Sequence, residues 1–299
     1  MLLRPLQLAA FAFLIPVSLA TSVPAEAKEP LHLVVMDPLS EPLSCDCVQG
    51  YAQRKYALLG TYLTKELGRK VVVTWHESLS EAVKETGGQF DLVIGKHSVV
   101  LHDAKELKKE VTPIARLTGK TGEVSQQGLI VVRADDAAES VQDLAGYQVF
   151  FGPEEADEKS AAPRKLLKLA DVKLSGEKVY GACSEAAVAL MKLPKDAKAA
   201  AVISSYAEPL LEGCGSIQKG DLRVLARTSD VPFITAFVRA DLPNELISRL
   251  NESLQLVATN PALLVGLETL VGFEPWKDDE AASKSKTPAA AIKKKAALN

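Results

Sequence analysis

The stretch "GLIVVRADDAAESVQDLAGYQVFFGPEEADEKSAAPRKLL", Gly128 to Leu167, carries most of the information about the fold. It contains an apolar strand, a short helix that ends at Gly146, a second apolar strand, and a helix with Pro163 in its first turn. Apolar strands that alternate with helices predict a parallel sheet covered on both faces. The stretch therefore favours an α/β fold.

The same alternation extends to both sides of this stretch. Toward the N-terminus, "LHLVVM" (Leu31 to Met36) predicts a strand, and Gly50 to Leu67 has helical apolar spacing that ends at Gly68. Ser78 with Glu81 forms a capping-box pattern at the start of a short helix. The strand count is high for one compact unit, so the pattern predicts two α/β lobes joined by crossover segments.

Two polar segments are the expected crossovers between the lobes, one near residues 116–128 and one near 226–232. Lobe 1 is then formed by residues 28–120 and 237–276, and lobe 2 by residues 121–236. The last segment, 277–299, is rich in Ala and Lys and has almost no bulky apolar residues. It is predicted to be a disordered tail.

The N-terminus has the pattern of a secretory signal peptide over residues 1–27. Arg4 is followed by the apolar run Leu6 to Ala20 and then by "AEA" (Ala25 to Ala27), a small-residue cleavage site. An uncleaved anchor is the alternative, although the run is short for a membrane span. We therefore expect a periplasmic or otherwise exported chain, without a lipid anchor and with no stable membrane insertion after cleavage.

Composition and motifs exclude several functional classes. The 299 residues carry a net charge of −3 and only 5% aromatic residues, so nucleic-acid binding is not expected. The sequence contains no G-x-S-x-G, no H-E-x-x-H, no Walker loop, and no G-x-G-x-x-G after the first strand. We therefore expect neither an enzyme nor a cofactor.

In its order of segments, the chain resembles the periplasmic substrate-binding proteins of ABC transporters, in particular the phosphate/phosphonate branch with the type II two-lobed fold. Besides the opening stretch, the resemblance rests on "FDLVIGKHSV", "GACSEAAVALMK", "AAAVISSYAEPLLE" and "VPFITAFVRADLPNELISRLNESL". It implies a monomer that closes two lobes around a small polar or anionic ligand. It also implies an ABC permease as partner.

In such a fold, ligand contacts come from loops at the carboxyl ends of the strands and from helix N-termini. Applied to this sequence, the resemblance places eight candidate residues at the cleft: Tyr51, His97, Ser160, Cys183, Ser184, Ser204, Ser205 and Glu208. Alternative roles stay open at this point. They are first-turn packing for Tyr51, helix capping for Ser160, and turn stabilisation for Ser204 and Ser205.

The sequence also departs from the phosphonate-binding pattern. The places of the family's Ser-Thr-Ser-Gly stretch are occupied by residues 156–159, which include Asp157 and Glu158, and two carboxylates there would repel a phosphonate. A family histidine corresponds to Cys183, and a family tyrosine to Gly95. Glu208 matches a family acidic residue. The ligand is therefore left open between a phosphonate-like anion and another small polar molecule.

The cysteines support an alternative function. Cys45, Cys47, His97 and Cys183 would form a soft N/S ligand set suited to Cu or Zn, or they would serve a thiol-redox accessory protein. Competing interpretations are a Cys183–Cys214 disulfide, and a local bridge or simple packing at Cys45 and Cys47.

Overall fold

In the computed structural model, residues 29–44 and 52–277 are described, and they contain two main sheets and a two-stranded ribbon. In chain order the strands are β1 (Leu31–Met36), β2 (Val71–Trp75), β3 (Leu92–Lys96), β4 (Val111–Leu117), β5 (Ser125–Gln126), β6 (Gly128–Arg133), β7 (Gln148–Phe151), β8 (Gly176–Val179), β9 (Ala199–Ser204), β10 (Leu222–Arg227), β11 (Val231–Pro232), β12 (Ile234–Arg239) and β13 (Phe273–Pro275).

The helices that cover these sheets are α1 (Tyr56–Leu67), α2 (Leu79–Glu85), α3 (His97–Glu106), α4 (Ala161–Leu169), α5 (Cys183–Met191), α6 (Glu208–Gly213), α7 (Asn244–Leu256) and α8 (Pro261–Gly266). Short 3-10 helices lie at Val141–Leu144 and Val257–Thr259. Within the described residues, no helix combines the length and the apolar character needed to cross a membrane.

The first sheet has the strand order β13-β4-β12-β3-β1-β2. Strand β1 runs parallel to β2 and β3, whereas β12 is antiparallel to both β3 and β4. Leu33 and Val35 of β1 belong to one apolar core, and Val34 and Met36 belong to another on the opposite face. Both faces of the sheet are therefore covered, because successive side chains of a strand point to opposite sides.

The second sheet has the order β10-β6-β9-β7-β8. Strand β7 is parallel to β8 and β9, and β6 is antiparallel to β9 and β10. Leu129 and Val131 pack into one core, while Ile130 and Val132 pack into another. The α/β class is confirmed, but purely parallel pairing is wrong, since each sheet combines parallel and antiparallel strands.

The chain passes between the sheets at the β5–β11 ribbon. Strands β5 and β11 pair in antiparallel fashion, and the Phe233 N–H donates to the Val124 carbonyl at 3.1 Å. These strands lie in the two segments expected to be crossovers. Strand β12 begins at Ile234 and already belongs to the first sheet, slightly before the expected return at residue 237.

The predicted start of α1 needs correction, and one helix and one strand were not predicted. Helix α1 begins at Tyr56 rather than Gly50, because the Arg54 N–H donates to the Leu39 carbonyl at 2.7 Å and holds this segment beside the loop after β1. Helix α5 begins at Cys183, and its N-cap is Ala182. Helix α3 and strand β4, which follow β3, were not anticipated.

Candidate functional site

A cavity of about 640 Å³ lies between the two sheets, at the carboxyl ends of their parallel strands. The residues that line it stand at or after the ends of β1, β2, β3, β7, β8 and β9: Met36, Pro38, Leu39, Leu43, Glu77, Lys96, Val99, Pro153, Glu155, Ala156, Lys159, Gly181, Ala182, Cys183, Ser184, Glu185, Tyr206, Ala207, Leu210 and Leu211. Open α/β sheets place ligand sites at this edge. The cavity is therefore the candidate site.

A buried ion pair joins the two walls of the cavity. Lys96, the last residue of β3, donates through Nζ to Oε1 of Glu158, whose side chain is 0% exposed. The same Oε1 accepts a hydrogen bond from Ser204 Oγ at 2.7 Å, at the end of β9. Among the described residues, Glu158 Oε2 has no hydrogen-bond partner. One carboxylate oxygen thus receives donors from both sheets.

Close backbone approaches hold Glu158 in this position. The Gly152 N–H donates to the Lys159 carbonyl at 2.9 Å, so the loop after β7 folds back on itself. A Cβ at Gly128 would collide with the Glu158 carbonyl oxygen, and a Cβ at Gly152 would collide with the Lys159 side chain. Glycine at these two positions lets the loop pack against the strands.

Ser98, in the first turn of α3, makes a second link between the walls. Its Oγ donates to the Glu155 carbonyl at 2.7 Å and accepts from the Asp157 N–H at 3.1 Å. The Lys159 ammonium is also engaged, because it donates to the Gly181 carbonyl at 2.8 Å. Residues 153–159 are therefore tied both to the first sheet and to the loop after β8.

Aromatic rings continue the contact between the sheets. Tyr206 stacks on Phe233 with ring centroids 5.0 Å apart, and it packs against apolar cores of both sheets. Lys96 Nζ lies 5.9 Å from the Tyr206 ring centroid, and the Arg54 guanidinium lies 5.6 Å from that of Phe233. These cation–π contacts help to orient both cations.

Asp37 fixes the segment that leads into α1. Its Oδ2 accepts from Arg54 at 2.8 Å and from the Tyr56 hydroxyl at 2.6 Å, and all three residues are buried. Burial and the neighbouring Asp37 carboxylate raise the pKa of Tyr56 well above its ordinary value, so the phenol stays protonated and acts as a donor. This cluster supports one wall of the cavity.

Electrostatics keep Glu158 charged and His97 neutral. Burial alone would raise the pKa of Glu158, but the Lys96 charge and the hydrogen bonds from Lys96 and Ser204 outweigh it, and the pKa is lowered.

Burial lowers the pKa of His97 to about 4. Its ring stacks on Trp276 at 4.8 Å between centroids and lies 3.2 Å, through Nδ1, from Thr235 Oγ1.

Among the predicted site residues, Cys183 and Ser184 line the cavity at the start of α5. Ser204 lies directly behind them, since its N–H donates to Cys183 Sγ at 3.3 Å and its hydroxyl binds Glu158. These residues are brought together at one end of the cavity.

Three other candidates have partners outside the lining. Ser160 precedes α4, and its Oγ accepts from Arg164 at 2.7 Å. Ser205 Oγ accepts from the Gln127 N–H at 3.1 Å, close to the β5–β11 ribbon. Glu208 begins α6 and lies 3.9 Å from Arg227, with its side chain 43% exposed. His97 likewise contacts aromatic rings rather than lining the cavity.

The place of the family tyrosine, Gly95, has no room for a side chain. A Cβ there would lie 2.8 Å from Met36 Cβ and 3.0 Å from Val100 Cγ2. The adjacent Lys96 instead presents a cation to the cavity. Tyr51 lies outside the described residues.

The expected Cys183–Cys214 disulfide is absent, and both residues are free cysteines. Cys183 is buried against Ser204, whereas Cys214 Sγ lies 3.0 Å from Ser216 Oγ. Cys45 and Cys47 fall outside the described residues. Within residues 29–44 and 52–277, no group of three or more metal-binding side chains is found.

Sequence reasoning did not select Lys96, Glu158 or Tyr206 as site residues. Lys96 and Tyr206 stand at strand ends, which is the same signal that indicated His97 and Ser204 as candidates. Glu158 was identified only as a departure from the family pattern. Its role depends on a contact with Lys96 across the cavity, and nothing in the local sequence indicates that contact.

The structure is similar to several solved proteins. A Xanthomonas citri protein bound to ATP has a TM-score of 0.65 and 17% identity, covering 85% of this chain and 94% of its own. The binding protein component of an ABC phosphonate transporter from Pseudomonas aeruginosa has a TM-score of 0.62 and 12% identity, covering 84% and 82%. PhnD1 from Prochlorococcus marinus, in complex with methylphosphonate, has a TM-score of 0.62 and 16% identity, covering 85% and 95%.

These identities are low, so the similarity shows a common fold. No curated protein sequence matches the chain. A family model described as the periplasmic substrate-binding protein of phosphonate ABC transporters matches residues 49–281, and the resemblance found in the sequence is thereby confirmed. The chain belongs to this family of periplasmic phosphonate-type substrate-binding proteins.

Proposed function

We propose that this protein captures a small polar molecule in the cavity between its sheets and delivers it to an ABC permease. The cavity carries the proposal, because both sheets contribute to its lining and its volume of about 640 Å³ lies in the range of small-molecule sites. The family binds small-molecule ligands and works with ABC permease components. A solute-binding role, rather than catalysis, follows from that family.

Entry of a ligand would require the walls to separate. The contacts to be broken include the ion pair of Lys96 with Glu158 and the hydrogen bonds of Ser98 with the loop after β7. We propose that lobe 1 (28–120 and 237–276) and lobe 2 (121–236) turn about the β5–β11 ribbon. Hinge closure of this kind converts ligand binding into a change of shape.

We propose that Cys183 and Ser184 form the polar end of the ligand site and that Ser204 supports them from behind. Cys183 and Ser184 line the cavity, and the Ser204 hydroxyl lies behind them. The other predicted contacts, Tyr51, Ser160, Ser205, Glu208 and His97, stay predictions, as does the Cu or Zn alternative that uses Cys45 and Cys47. No second function is favoured by the contacts described above.

A thermal-shift screen tests the proposed function. The purified chain is mixed with a library of small amino acids, amines, sugars, vitamins, phosphonates and sulfonates, and melting is followed for each. Ala182 lines the cavity and is exposed, so Ala182→Trp should fill the site and abolish the shift caused by any ligand. Ala145→Trp, at an exposed site outside the lining, should keep it. A ligand that stabilises both variants equally contradicts binding in this cavity.

Export and oligomeric state complete the proposal. We expect residues 1–27 to be removed, so that the protein from the periplasm begins at Lys28. We also expect this protein to be a monomer. Intact-mass measurement and light scattering of the exported chain test both expectations. A mass that includes residues 1–27 would contradict cleavage, and a dimer mass would contradict the monomer.

A further inference from the structure

The charged groups around the cavity are distributed unevenly. The lining contains two cations, Lys96 and Lys159, and three carboxylates, Glu77, Glu155 and Glu185. Both ammonium groups already have acceptors within the protein. An anionic ligand that entered this cavity would therefore meet an excess of negative charge and no uncommitted cation among the described lining residues.

The Lys96 ammonium group is not available to a ligand, because it is paired within the protein. Its ammonium group lies against the Glu158 carboxylate, and Ser204 Oγ donates to the same oxygen at 2.7 Å. A cation and a hydroxyl that converge from two strand ends are the kind of donors that bind an anionic head group. Here the anion is a side chain of the same protein, and it is completely buried.

We propose that Glu158 acts as an internal anion that neutralises Lys96, so that the cavity accepts an uncharged or cationic ligand and rejects phosphonate and phosphate. This inference rests on the proposed function, because it concerns the ligand of the same cavity. Glu158 is then a specificity-determining residue. It excludes anionic ligands by occupying the donors that they would need.

Lys159 does not compensate for this loss. Its Nζ donates to the Gly181 carbonyl at 2.8 Å, and its side chain also packs against Gly152. Moving it toward a ligand would leave that carbonyl without its donor. The rim adds Glu77 and Glu185, both exposed, and these carboxylates favour a ligand with an amine or hydroxyl group.

The test measures binding of methylphosphonate and inorganic phosphate by titration calorimetry. The variants are Glu158→Gln, which keeps the shape and removes the charge, and Glu154→Gln, an exposed control in the same loop. We expect Glu158→Gln to bind at least one of the two anions at least about tenfold more tightly than the wild-type protein does. Glu154→Gln should behave as wild type.

A folding control keeps the result interpretable. Circular dichroism and melting are recorded for each variant, and the wild-type titration is decisive even if Glu158→Gln does not fold. Wild-type binding of methylphosphonate or phosphate that is lost in Lys96→Gln would overturn the inference. A folded Glu158→Gln variant that gains no affinity would overturn it as well.

The outcomes for the two proposals are separable. If the library screen yields a phosphonate ligand for the wild-type cavity, or the titration shows that phosphate binds there, the proposed function stands and the role of Glu158 falls. If no library compound binds while Glu158→Gln gains anion affinity, the role of Glu158 stands and capture of a small solute by the wild-type protein falls. Uncharged or cationic hits, together with the gain in Glu158→Gln, support both.

Discussion

Replacing Lys96 by Met provides a direct test of the buried pair that joins the two walls. The Lys96 side chain is 9% exposed and that of Glu158 is 0% exposed, so the substitution leaves a carboxylate in a site that water does not reach. Ser204 would be its only remaining donor among the described contacts. Removing one member of a buried ion pair typically costs about 3–5 kcal/mol of folding stability.

That loss corresponds to a readily measured change in melting temperature. For domains of this size, each kcal/mol shifts the melting temperature by about 2–4 °C, so Lys96→Met should melt roughly 6–20 °C below the wild-type protein. Urea unfolding followed by circular dichroism gives the free energy of unfolding independently. Replacing both partners, as in Lys96→Met/Glu158→Leu, should restore most of the loss because no unpaired charge is then buried.

The effect of Lys96→Met on folding stability should depend on pH. In the wild-type protein the pKa of Glu158 is lowered, so its contribution to stability is present above the unfolded value of 4.5 and is lost as the pH falls. Without Lys96, burial dominates and we expect the pKa of Glu158 to be raised. The difference in stability between Lys96→Met and wild type should then be largest near neutral pH and shrink on acidification.

A surface pair serves as the matched control. Asp241→Asn breaks the contact of Arg239 with a carboxylate that is 74% exposed, and it should cost less than about 1 kcal/mol. The reasoning is refuted if Lys96→Met unfolds within about 1 kcal/mol of wild type at neutral pH. It is also refuted if the double variant is no more stable than Lys96→Met alone.

Three further predictions concern other parts of the molecule. Gly95→Ala should lose about 1–3 kcal/mol in urea unfolding because its Cβ would crowd Met36, whereas Gly213→Ala, in open space, should be nearly neutral; equal losses would contradict this. The His97 ring should titrate near pH 4 by NMR, and a midpoint near 6.5 would contradict burial of the ring. The stability of the wild-type protein should rise with pH between about 4 and 6.5, and His97→Phe should flatten this rise. In pulse labelling analysed by peptide mass, Cys214 should react at least about tenfold faster than the buried Cys183, and a peptide that links the two would contradict free thiols.

Local signals predicted many of the individual elements. The run of β-branched residues at β1 and the glycine at position 68 correctly indicated a strand and a helix end, and Gly68 adopts the left-handed conformation with φ 56°. Ser78 Oγ accepts from the Glu81 N–H at 3.2 Å, as expected from the capping pattern. Each of these features depends on residues within one turn or one strand of each other.

Features that depend on distant contacts were not predicted. The direction of β12 is set by where the chain returns to the first sheet, and its own residues give no indication of antiparallel pairing. The late start of α1 depends on Arg54, which is held by Asp37 and by the Leu39 carbonyl. Helix α3 was missed because it buries only two small apolar residues, Val100 and Ala104.

In the candidate site, too, local signals were predictive and distant contacts were not predicted. Strand ends indicated its location, and Cys183, Ser184 and Ser204 lie there. Glu158 was identified only as a carboxylate that would repel an anionic ligand, and its ion pair with Lys96 was not predicted. Its partner Lys96 is 62 residues away in sequence, and the pair becomes evident only when the two sheets face each other.

The position of β12 has a consequence for the order in which the protein folds. The second sheet is built from one continuous piece of chain, from Gly128 to Arg227, whereas β3 and β4 of the first sheet are joined only by β12, which comes much later. Until Ile234–Arg239 arrives, β3 and β4 each expose an unpaired edge. The half of the molecule that begins the chain must therefore be completed last, so the first sheet keeps two open strand edges after every strand of the second sheet has been synthesised.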